Sequence, residues 1–238
     1  MAATSSSATW QKGPFSFRRR LHQRWKRTWL GWAGIYPTTR VSVTSPNPGE
    51  QAWYLQKERL PDRPSVISLG LAENLSFDLA MVRAYRSIVH GFDPTEASQA
   101  WFANHSLPED FHFHSLAVAG YDGWIELVER RGRGGRIPGP VFQRAPCRRL
   151  SGILRELPCR RVDVLKMDIE GSEYGVLDDI LSAGIFPTQI AVEFHHRFKE
   201  VGLPTTRRAH QALRRHGYDL AHISPWAEEF LYVQRDFA

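Results

Sequence analysis

The stretch Val162-Asp-Val-Leu-Lys-Met-Asp168-Ile-Glu170-Gly-Ser-Glu173-Tyr174 decides the reading of the whole chain. Its first six residues, four of them apolar, read as a short core strand. Three acids follow within six positions, and Ser172 to Ala183 then shows the period of a helix stopped by Gly184. A buried strand running into a helix is the unit of a parallel sheet. In such sheets, ligands lie beyond the carboxyl ends of the strands. Asp168 stands at such an end and is expected to point into a cleft. Glu170 and Glu173 enter the first helical turn, where negative charge is favoured in any case, so Glu173 reads mainly as a cap.

The same alternation extends in both directions. Ser65–Gly70, Ser87–Phe92, Phe111–Val118 and Gln189–Glu193 read as further strands, and Trp124–Val128 as a short extra strand in a hairpin. Ser76–Tyr85, Glu96–Phe102, Ser151–Leu157 and Thr205–His216 read as helices. Tyr218–Ile223 and Phe230–Val233 have no helix between them and are expected to pair as an antiparallel edge. The sum is an α/β fold, with a mostly parallel sheet and helices on both faces.

The other strand ends supply further candidates. Gly70, in Ser68-Leu-Gly-Leu-Ala-Glu-Asn74, allows close approach of the backbone to a ligand, but the turn is not GxGxxG, and a dinucleotide pyrophosphate site is disfavoured. Asp93, about 20 residues beyond that turn, is the expected acceptor for a ribose diol. Its competing role is to cap the helix that follows Pro94. Glu193, His195 and His196 follow the fifth strand. Asp168, Glu193 and one of these histidines are expected to converge as a general base or as a divalent-metal set, the base being preferred.

These motifs together resemble the FkbM family of S-adenosylmethionine-dependent methyltransferases. The strongest match is Leu165-Lys-Met-Asp-Ile-Glu-Gly-Ser-Glu173. In the family's order come also Ser68–Phe77, Gly91-Phe-Asp-Pro94, Leu116–Gly123, Val192-Glu-Phe-His195 and Glu229–Val233, so the resemblance covers roughly residues 60–235. The first motif departs from the family's usual pattern: Ser68 replaces an acid and the second glycine is missing. The resemblance implies a Rossmann-like methyltransferase acting on an oxygen of a small molecule or a sugar-containing substrate, with S-adenosylmethionine as cofactor. It places Gly70 and the turn of Glu73, Asn74 and Ser76 at the cofactor's methionine end. Asp93 falls at the ribose, Val118 and Ala119 at the adenine, and Asp168 beside the transferred methyl. His195 is the expected base, oriented by Asp168 or Glu193.

Composition sets the remaining bounds. With 42% hydrophobic residues in 238, the chain can bury a sizeable core. Its net charge of +6 is unevenly spread. Eight basic residues precede Glu50, the first acid; the remaining 23 basic and 25 acidic residues leave the body near neutral. We therefore divide the chain into a basic arm, residues 1–50, and a methyltransferase domain, residues 51–238. Phe17, Leu21, Trp25, Trp29 and Trp32 recur with helical period in the arm, an amphipathic helix expected either to meet a membrane surface or to pack its tryptophans on the body. Its Arg- and Ser-rich composition also suits organelle targeting. Cys147 and Cys159 lack zinc spacing and fit a reduced, intracellular and cytoplasmic setting. Nucleic acid is an unfavoured substrate: Ala145-Pro-Cys147 and Pro158-Cys159 precede the fourth strand, where a cytosine-methylating nucleophile should follow it. A degenerate, non-enzymatic adaptor is the other alternative, resting on the lost acid at Ser68.

Overall fold

The computed structural model describes residue 23 and residues 25–49, 52–72, 74–132, 135–159 and 161–235. Residues 25–32 form a first helix, α1. There follow β1 (Ser65–Leu69), α2 (Ser76–Tyr85), β2 (Ile88–Phe92), α3 (Glu96–Ala103), β3 (Phe111–His114), β4 (Ala117–Ala119), β5 (Gly123–Arg131), β6 (Ile137–Arg149) and α4 (Leu150–Glu156). The chain continues through β7 (Val164–Met167), α5 (Glu173–Ser182), β8 (Gln189–Glu193), α6 (Gly202–Arg215), β9 (Tyr218–Ile223) and β10 (Glu229–Gln234).

Seven strands form the main sheet in the order β3-β2-β1-β7-β8-β10-β9. β3, β2, β1, β7 and β8 are parallel, and β10 runs antiparallel to both β8 and β9. The expected mixed α/β architecture with an antiparallel edge is therefore present. Strand order reverses between β1 and β7, and a cleft opens at that point.

Alternate residues of the central strands feed two cores. Ile67, Leu69, Leu165, Met167, Ile190 and Val192 pack on one face with α4, α5 and α6. Val66, Val164 and Ala191 pack on the other face with Phe77 and Met81 of α2 and Phe102 of α3. This period-two alternation explains why the strands read as continuous apolar runs.

Two elements differ from the sequence reading. The expected strand Phe111–Val118 is broken at Ser115-Leu116, where the Leu116 amide donates to the His114 carbonyl (2.9 Å). Its second half, β4, leaves the main sheet and joins β6 and β5 in a three-stranded sheet. β6 itself went unread, because Pro138, Pro140 and Pro146 argue against a strand. β4 covers only Cys147–Arg149, so most of β6 has a free outer edge, where prolines are tolerated.

The segment ahead of β1 lies against the domain. Leu30 and Ile35 are buried in the first core, Lys26 Nζ donates to Glu228 Oε1 (2.7 Å), and Arg27 donates to the Ile223 carbonyl (2.9 Å). Of the stripe's tryptophans, Trp29 lies 6.1 Å from the His196 ring, whereas Trp25 is 61% and Trp32 82% exposed; Leu30, off the stripe, is the buried residue of α1. Phe17 and Leu21 lie outside the described residues. Among the described residues, no helix is long and apolar enough to cross a membrane. Cys147 and Cys159 are both free thiols.

Candidate active site

The turn after β1 is fixed by backbone contact. Gly70 has φ +78°, and a Cβ there would stand 1.8 Å from the Asp168 carbonyl oxygen. Glycine is thus required for the turn and for the close approach of β1 to β7. Buried Lys166 donates from Nζ to the Gly70 carbonyl (2.5 Å), so the lysine of the deciding stretch braces this turn from the opposite face.

Asp93, at the end of β2, is buried. One carboxylate oxygen accepts from the Leu71 and Ala72 amides (3.1 and 2.9 Å), the other from the Thr95 amide and hydroxyl (2.9 and 2.6 Å). It clamps the β1 turn and caps the approach to α3 at once. Asp93 also lines the cleft, with Gly70, Phe92, Val118, Ile125 and Leu127 among others. Asp168 and Glu170 line the same cleft, which has a volume of about 120 Å³. Val118 contributes to its wall, whereas Ala119 is buried beside Ala117 and Cys147. Asn74 and Ser76 are exposed and do not line it; Ser76 Oγ accepts instead from Asn47 (3.1 Å). Glu73 lies outside the described residues.

The acids after β7 and the residues after β8 converge. His195 is fully buried. Its Nε2 stands 3.7 Å from Asp168 Oδ1, 3.6 Å from Glu193 Oε1 and 3.7 Å from Glu170 Oε2, and has no hydrogen-bond partner. Its Nδ1 donates to Glu173 Oε1 (2.8 Å). Glu173, itself fully buried, also accepts from the amides of Ile169 (2.9 Å) and Gly171 (3.1 Å). Glu173 thus holds the loop ahead of α5 and not the helix's own free amides, and the same carboxylate orients the imidazole. That role was expected of Asp168 or Glu193, which face the other nitrogen. The missed signal is geometric: a first-turn residue of α5 meets the residue just beyond β8 only because β7 and β8 are neighbours.

Glu170 adopts φ +53° and Gly171 φ +108°. A left-handed residue without glycine's freedom is uncommon, and here it turns the Glu170 carboxylate toward His195. From the other side, Arg130 at the tip of the β5–β6 hairpin donates to the Glu170 carbonyl (3.0 Å), pairs with Glu200 and lies 3.6 Å from the Phe198 ring centre.

The electrostatics follow from crowding. Burial works against a charged His195 ring, but the Glu173 hydrogen bond and charge, with Glu193 and Glu170, outweigh it and push the imidazole up to about 9. Burial and then the like charge of Asp168 push Glu193 up to about 7, against the pull of His195 and Arg197. His196 points elsewhere, 6.1 Å from the Trp29 ring, and burial lowers it to about 4.

An apolar cleft at the switch point, with a carboxylate–imidazole set at its end, stands where α/β sheets bind their ligands. The sequence profile of the Methyltransferase FkbM domain matches residues 70–220. The chain belongs to the FkbM methyltransferase family. No curated protein sequence matches it. Among solved structures it is similar to the methyltransferase FkbM from Methylobacillus flagellatus KT, at 16% identity and a TM-score of 0.47. That match covers 76% of this chain and 46% of the other, so the chain spans under half of that relative. It is also similar to a fibrillarin/Nop5p complex (11% identity, TM-score 0.43, 74% and 75% covered). A third similar structure is the cyclopropane synthase MmaA2 from Mycobacterium tuberculosis (11%, 0.38, 69% and 59%). The family's cofactor is S-adenosylmethionine, and the residues present fit it. Phe92, Val118, Ile125 and Leu127 give apolar walls suited to a purine, and Asp168 and Glu170 give an acidic end suited to the cofactor's cationic methionine part.

Proposed function

We propose that the protein transfers the methyl group of S-adenosylmethionine to a hydroxyl oxygen, on a small molecule or a sugar-containing acceptor. The observation that carries this reading is the convergence of Asp168, Glu193 and the buried His195 beside the cofactor cleft. An amine can attack through its free lone pair; a hydroxyl needs a group to receive its proton. Bound S-adenosylmethionine supplies an electrophilic methyl group. Phe92, Val118, Ile125 and Leu127 hold the purine. Asp93 reaches the ribose from the clamp it already forms. Gly70 lets the chain pass close to the methionine part. Asp168 borders both the cofactor and the acceptor. The acceptor hydroxyl lies against Asp168, Glu193 and Nε2 of His195, which align it, and its proton passes to a carboxylate of this set as the oxygen is methylated.

Calorimetry with S-adenosylmethionine and with S-adenosylhomocysteine is expected to give saturable one-to-one binding. With methyl-labelled cofactor and a panel of hydroxylated and glycosylated acceptors, label should appear in an ether linkage. Glu193→Gln should lower that incorporation at least 100-fold while changing cofactor affinity less than threefold. Absence of cofactor binding, or label recovered on nitrogen or carbon, overturns the reading.

A further inference from the structure

We propose that Asp168, Glu193 and His195 form a binding site for one divalent cation of the Mn²⁺ class, with Glu170 beside it. The inference concerns the same site as the proposed methyl transfer and deepens that reading.

The three side chains form one compact donor set. One donor atom from each of Asp168, Glu193 and His195 lies within 4.8 Å of the other two. Ligands about 2.1 Å from a six-coordinate cation stand roughly 3 to 4.2 Å apart, so a small contraction completes the set. The decisive atom is Nε2 of His195. It is fully buried, has no hydrogen-bond partner, and faces three carboxylates. An orphaned buried nitrogen is costly unless something is meant to meet it. Its other nitrogen is fixed by Glu173, whose carboxylate accepts from Nδ1. This carboxylate–histidine pairing fixes the ring with Nε2 aimed at the set, the arrangement that orients metal-bound histidines.

Two carboxylates and one imidazole leave room for water and for an acceptor oxygen. Oxygen ligands suit Mg²⁺, Ca²⁺ and Mn²⁺, and the imidazole favours Mn²⁺ among them. A cation here would hold the acceptor hydroxyl and favour loss of its proton, which passes to water past the exposed Glu170. His195 then acts as a ligand and not as the proton acceptor.

The test uses the full chain without cofactor. Mn²⁺ is titrated and free ion is followed by electron paramagnetic resonance, with calorimetry in parallel. One-to-one saturable binding is expected, weakened at least tenfold by Glu193→Gln and by His195→Gln. Glu173→Gln should weaken it 10- to 100-fold, the range for orienting partners of a ligand. Circular dichroism and the S-adenosylhomocysteine affinity of each variant verify that it is folded, and variants at two ligands cover the failure of either one to fold. No saturable binding up to millimolar Mn²⁺ overturns the proposal, as does binding that all three substitutions leave unchanged. Loss of S-adenosylhomocysteine binding by the unsubstituted protein would instead overturn the methyltransferase reading alone.

Discussion

Gly70 shows how one residue fixes the site. Its φ of +78° and the 1.8 Å that a Cβ would leave to the Asp168 carbonyl make the turn and the β1–β7 contact a single requirement. Gly70→Ala is expected to destabilise the protein by about 3 kcal/mol or more, since both backbone strain and a backbone clash are imposed. Urea unfolding measures this; a loss under about 1 kcal/mol would show that the turn can relax. At this scale the sequence was partly legible. Asp168, Glu193 and His195 stood at strand ends, and the topology brings strand ends together. Glu173 was legible only as a cap, because its second partner is 22 residues away and meets it through the packing of β7 on β8. Asp93 takes the capping role weighed for it, through the Thr95 amide and hydroxyl, and adds a clamp on Leu71 and Ala72 that no local pattern announces.

Among the elements, the β5–β6 hairpin couples two ends of the site. Ile125 and Leu127 line the cleft, and Arg130, at most about 10 Å further along the same strand, grips the loop carrying Glu170. Arg130→Ala removes the bond to Glu170, the pairing with Glu200 and the stacking on Phe198. We expect amide exchange in β5 and at the start of β6 to speed up at least tenfold, with the melting temperature changed by less than about 3 °C, because the hairpin can open locally. Uniform acceleration across the main sheet would contradict this. The hairpin was half visible. Trp124–Val128 alternates as a strand should, whereas the prolines of β6 hid its partner, and the break at Ser115-Leu116 gave no turn signal of glycine or proline.

For the whole molecule, five short strand patterns were enough for the parallel part of the sheet, because burial on both faces leaves a signal in composition itself, and the lack of a helix between Tyr218–Ile223 and Phe230–Val233 marked the antiparallel edge. Three-dimensional crowding left no such mark on the histidines. Burial lowers His90, His210 and His222 to about 4, helped at His90 by the like charges of His112 and His114, at His210 by Arg214 and at His222 by Arg27. These rings are neutral in the folded protein down to about pH 4, but in the unfolded chain they take up protons below about 6.5. Their contribution to stability is therefore complete above pH 6.5 and is lost as the pH falls toward 4. Measured at pH 7, 6, 5 and 4.5, the denaturation midpoint of His90→Gln should gain on that of the unsubstituted protein as the pH falls. A difference between the two that does not change with pH would contradict the assignment.

The free edge of β6 has a consequence for how the protein behaves in a crowd. A long hairpin with exposed Ile137, Val141 and Phe142 would ordinarily invite a strand from another chain to continue the small sheet. Pro138 and Pro140 present no N–H along that stretch, and Arg144 adds charge to it, so the row of donors an incoming strand needs is interrupted. The prolines that obscure the strand in the sequence thus keep the hairpin from seeding self-association, and let it carry apolar side chains beside the cleft without making the protein aggregate.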